Sequence, residues 1–83
     1  MNPDRQTMIT KAFDILRSIA PEIEIAEIDV ALALRQQIDL DSMDWLSFLV
    51  GLHEHFGVDI AESDYTRLVS MNDVVDYIQA RSG

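Results

Sequence analysis

Apolar residues recur at helical spacing in three stretches of this chain, with a longer irregular stretch between the first two. Met8, Ile9, Ala12, Phe13, Leu16 and Ile19 repeat at intervals of three and four and predict a first helix. Asn2 suits its cap and Pro3 its first turn, and Pro21 ends the pattern. A second helix is expected from Ser42 to Phe56, capped by Asp41 and stopped by Gly57. Asp44 stands three residues after Asp41, an acidic variant of the capping box. Glu62 to Leu68 reads as a short third helix. Ser70 and Asp73 form another capping pair, followed by Val74, Val75 and Ile78 on one side of a last helix that frays near Arg81. The pattern is all-α: a four-helix bundle with a long first loop and a short third helix.

The loop covers residues 21–41. Ile23, Ile25 and Ile28 alternate loosely with Glu22, Glu24 and Glu27, so a short strand is one expectation, though it has no partner. Ala31 to Arg35 suit a helical turn. A loop this long in a small bundle needs anchors, and its isoleucines and leucines are the candidates.

The second helix has an unusually wide apolar arc. At about 100° per residue, Trp45, Phe48, Leu49, Leu52 and Phe56 form its core-facing centre. Asp44, Gly51 and His55 fall opposite, toward solvent. Met43, Ser47, Val50 and Glu54 make a separate stripe beside the polar side. Exposed apolar residues there would form a partner-docking face; the alternative is that Met43 and Val50 only widen the core.

Composition narrows the class. The chain has 83 residues, of which 48% are apolar, which suits one small folded domain spanning 1–83 with a thin core. Six basic against fifteen acidic residues give a net charge of -9. Such a surface repels nucleic acid and anionic lipid and attracts partners with basic patches. No apolar run approaches the ~20 residues of a membrane span, and the start lacks the basic and apolar regions of a signal peptide. The expectation is a cytoplasmic monomer.

Ser42 is the residue with the most distinctive chemistry. It follows Asp41 at a helix start, where its hydroxyl is open to modification. The chain has no cysteine, so thiol chemistry must arrive on a group attached from outside. That combination suggests a carrier and not an enzyme.

Several other sites fail on spacing. His53 and His55 are two apart on a helix and diverge, which disfavours a shared metal. Asp39, Asp41 and Asp44 imitate a calcium loop, but Met43, Asp44 and Val50 occupy positions that need an oxygen ligand, a glycine and a glutamate. There is no Gly-x-Ser-x-Gly elbow for a serine hydrolase. Trp45 lies in register with Phe48, Leu49 and Leu52, which makes it core and not a ligand-stacking residue.

The C-terminal half closely resembles the acyl carrier protein family. The resemblance rests on the signature Asp41-Ser42-Met43-Asp44, the run from Leu52 to Ile60, the acidic short helix after it, and the closing run from Ser70 to Ile78. The N-terminal part matches in pattern. The resemblance implies that Ser42 carries 4′-phosphopantetheine, delivered from coenzyme A by a phosphopantetheinyl transferase. It also implies that Asp41 helps the transferase and its magnesium ion recognise the site. The arm would hold acyl groups as thioesters for acyl-transferring or condensing enzymes with basic docking patches. Asp44 would join Asp41 in repelling an arm lying flat on the surface, and a yielding gap near Trp45, Leu46 and Leu68 would shelter the acyl chain.

The departures from the family pattern are informative. Asp39 stands where glycine is usual, so its backbone could be held in a conformation that glycine eases. Gln37 stands where an acid is frequent, and Ser47 and His53 where fatty acid synthase carriers commonly have acids. The docking stripe is less negative as a result. A dedicated partner set in a specialised lipid or secondary-metabolite pathway is therefore as open as the ordinary fatty acid synthase enzymes. A peptidyl or aminoacyl carrier and an unmodified helical adaptor are the alternatives.

Overall fold

The computed structural model describes residues 4–82, without the side chain of Ser82. Helix α1 spans Arg5–Ile19. Its cap is Asp4, whose carboxylate accepts from Thr7 N at 2.7 Å, so the helix starts later than the Asn2–Pro3 pair suggests. Asn2 and Pro3 themselves lie outside the described residues. Helix α2 is a single turn, Leu34–Gln37, and helix α3 spans Ser42–Phe56. A 3-10 segment, Glu62–Arg67, takes the third-helix position, and helix α4 spans Met71–Ser82. The expected all-α arrangement is observed.

Helix α1 packs against both α3 and α4. The interface contains Met8, Ala12, Phe13 and Leu16 from α1, Phe48, Leu49 and Leu52 from α3, and Val74, Val75 and Ile78 from α4, all at most 5% exposed. Each set recurs at three- and four-residue intervals, which is why three amphipathic helices close on one core. Phe56 is half-buried and sits at the edge of that core instead of its centre. Gly51 does not face solvent as expected. A Cβ built on it would lie 2.6 Å from Ile15 Cγ2, so the missing side chain is what lets α1 approach α3.

The loop between α1 and α3 is ordered by local bonds. Residues Ile25–Glu27 form a 3-10 turn in place of a strand, and the helical turn falls at Leu34–Gln37, a few residues later than expected. Ile23, Leu34 and Leu40 are buried anchors, whereas Leu32 is exposed. Gln37 is the polar clasp. Its Oε1 accepts from Asp29 N at 2.7 Å, while its Nε2 donates to Asp29 O at 2.9 Å and Leu32 O at 3.2 Å. An acid at this position would lack the donor. Ala33 bridges Ser70, with Leu34 N donating to Val69 O at 2.9 Å, so the loop is tied to the start of α4. Asp39 does not adopt a left-handed backbone; among the described residues only Gly57 has positive φ.

The second half is closed by caps. Gly57 ends α3 at φ 67°, and its N–H donates to His53 O at 2.9 Å. Ser70 and Asp73 form the full reciprocal box expected of them. Ser70 Oγ accepts from Asp73 N at 3.1 Å, and Asp73 Oδ2 accepts from Ser70 N at 3.0 Å.

Candidate functional site

Helix α3 begins at Ser42, with Asp41 as its cap. Asp41 has extended backbone angles, and its Oδ1 accepts from Asp44 N at 2.8 Å. That bond satisfies one of the N–H groups left unpaired at a helix start. Ser42 and Asp41 are both exposed and Asp44 is half-buried. Ser42 therefore offers its hydroxyl to solvent at the positive end of a fifteen-residue helix. An anionic phosphodiester there would meet the helix dipole favourably, and the hydroxyl that would carry it faces solvent.

The expected stripe on α3 is solvent-facing. Met43 is 71% exposed and Val50 53%, and Ser47 and Glu54 are exposed between and beyond them. These exposures overturn the reading in which Met43 and Val50 widen the core. Leu46, which the sequence placed at an internal gap, instead joins this surface at 42% exposure. The helical angle already holds that answer, because Leu46 lies about 60° from Met43 and 40° from Val50. The face is thus an apolar patch of Met43, Leu46 and Val50 with Asp41, Asp44 and Glu54 around it.

Both histidines are exposed. His53 Nδ1 lies 2.9 Å from Val58 O, and since a carbonyl only accepts, Nδ1 carries the hydrogen. Its ring sits 3.6 Å from the exposed Asp59 carboxylate. His55 stacks edge-on against Phe56. No group of three or more metal-ligating side chains is formed among the described residues.

Two open clefts border both α3 and the 3-10 segment, the first also reaching α2. The first, of about 300 Å³, is lined by Ala33, Arg35, Trp45, Tyr65, Leu68 and Val69, among others. It matches the expected gap at Trp45 and Leu68 but not at Leu46. Trp45 is 7% exposed and tilts against Phe48 at 5.4 Å between ring centroids. The Arg35 guanidinium lies 6.0 Å above the indole and donates to Leu40 O at 3.4 Å. The second cleft, of about 270 Å³, is lined by Leu49, Val50, His53, Asp59, Ile60 and Tyr65. The sequence reading did not single out Tyr65 or Arg35, because neither stands in a periodic apolar pattern.

The 3-10 segment is latched to α4. The Tyr77 hydroxyl donates to Asp64 Oδ2 at 2.7 Å and accepts weakly from Ala61 N at 3.4 Å. Arg81 lies 3.6 Å from the Tyr77 ring centroid and 3.5 Å from the same Asp64 oxygen. Burial, and then the bond to Asp64, push the Tyr77 phenol above the ordinary tyrosine pKa.

Comparison with known proteins agrees with this geometry. The family model described as "Phosphopantetheine attachment site" matches residues 14–78. An acyl carrier protein of Campylobacter hominis is 31% identical over 62 residues, covering 75% of this chain and 73% of its own length. An acyl carrier protein of Chlamydia caviae is 29% identical over 73 residues, covering 84% of this chain and 95% of its own. One from Rickettsia bellii is 30% identical over 56 residues, covering 68% and 69%. This chain belongs to the acyl carrier protein family, whose cofactor is covalently attached 4′-phosphopantetheine.

Proposed function

We propose that Ser42 is the attachment residue and that the chain carries acyl groups as thioesters between partner enzymes without catalysing a reaction itself. What carries the reading is an exposed serine hydroxyl at the start of a long helix, inside the matched family region. A phosphopantetheinyl transferase would join Ser42 Oγ to the β-phosphorus of coenzyme A. The pyrophosphate linkage breaks, adenosine 3′,5′-bisphosphate leaves, and the hydroxyl proton passes to a base of the transferase.

Asp41 and Asp44 shape this site. Asp41 sets the helix start by capping it, and together the two acids repel the phosphodiester from the adjoining surface. The arm is then held at its root and free beyond it. Partners read the face of Met43, Leu46, Ser47, Val50 and Glu54. With Ser47 and His53 in place of acids, apolar contact takes a larger share of that recognition. The clients are enzymes of fatty acid, lipid or secondary-metabolite biosynthesis. The cleft at Trp45 and Leu68 is where the start of an acyl chain finds apolar cover.

Incubation with coenzyme A and a broad-specificity transferase tests the reading. The expected result is a mass gain of one phosphopantetheine, lost in Ser42→Ala. No gain with several transferases would leave the exposed patch as the surface of an unmodified adaptor.

A further inference from the structure

We infer that Tyr65 divides the acyl-binding groove and sets the length of chain this carrier shelters. The inference rests on the carrier reading and concerns which cargo the site accepts. Among the described residues, Tyr65 alone borders both clefts. The first cleft lies by Trp45, one turn from Ser42. The second lies by Leu49, Val50 and His53, up to about 12 Å farther along α3 at 1.5 Å per residue. Together they make a path along the helix, with the half-buried Tyr65 at the boundary.

The core side of the groove is closed. Beneath the groove, Phe48, Leu49 and Leu52 are at most 1% exposed, so the interior is already filled. Tyr65 is held where it is by its neighbour. Asp64 is fixed to Tyr77 at 2.7 Å and to Arg81 at 3.5 Å, which restrains the backbone that carries the divider. A short acyl chain fits the first cleft. A longer one must displace Tyr65, which gives up the burial of that ring, or turn out past Met43 and Leu46 into water, and neither course adds net apolar burial.

The test loads the whole protein with intact acyl-phosphopantetheine from a series of acyl-coenzymes A, from acetyl to dodecanoyl in two-carbon steps. Mass spectrometry first confirms loading at Ser42; failure there counts against the carrier reading and not against the divider. The melting temperature of each form is then compared with that of its own unacylated holo form, which cancels any instability of a variant. In the wild type and in Tyr65→Phe the gain should rise and level off before dodecanoyl. In Tyr65→Ala the two clefts merge, and levelling-off should move by at least one two-carbon step to longer chains. A gain that rises through dodecanoyl in the wild type, no gain at any length, or the same break point in Tyr65→Ala would overturn the inference.

Discussion

Gln37 shows how one side chain can order a loop. Its amide accepts one backbone bond and donates others, and together these close the loop before α3. Gln37→Glu keeps the acceptor and loses the donor. It should destabilise the fold by about 0.5–1.5 kcal/mol, the net worth of a hydrogen bond at an exposed site, read by urea unfolding. An unchanged midpoint would show that water replaces the clasp. Gly51 raises an opposite question. Gly51→Ala gains about 1 kcal/mol in helix propensity but drives a methyl into the branched Ile15 side chain. Overpacking of this kind costs about 1–3 kcal/mol, so a net loss is expected. Neither role was legible in the sequence: the clasp joins residues eight apart in an irregular loop, and the solvent-side reading of Gly51 took α3 alone without α1. Asp41 as the cap and Ser42 as the first residue of α3 were legible, because a capped helix start is a local feature.

On the proposed function helix α3 has two duties, packing and docking, that different substitutions should separate. Leu49→Ala opens a cavity in the core and should cost about 2–5 kcal/mol. Met43→Ala and Val50→Glu act on exposed positions and should slow acyl transfer to partners with little change in melting temperature. Parallel losses of stability and transfer would contradict this division. The periodicities of α1, α3 and α4 were readable because each buries one continuous stripe. The limits of α2 were not, because a single turn has too few residues to show a period. Its position is fixed by Leu34, whose side chain is buried and whose N–H bonds Val69 O.

Across the whole molecule, charge opposes folding. A net charge of -9 on 83 residues creates self-repulsion that salt screens. Melting temperature should rise as sodium chloride is added. A fall would mean that exposed pairs such as Arg5–Asp76, at 2.6 Å, contribute more than repulsion removes. Charge count and fold class were both available from the sequence, but the meeting of Tyr65 with both clefts was not, since it depends on how α3 and the 3-10 segment face each other. The latch on that segment also responds to alkali. The raised Tyr77 pKa means the folded state holds its proton more tightly than the unfolded chain does. The stability it lends is complete below the ordinary tyrosine pKa. It is lost as pH climbs from there through the folded value, which tyrosinate absorbance alongside circular dichroism would follow. Because the wall opposite α3 is a 3-10 stretch fastened chiefly at Asp64, its amides should exchange with deuterium sooner than those of α3 or α4. The carrier would then breathe at one hinged side while the remaining helices keep their protection, giving the cargo a door that opens without unfolding the house.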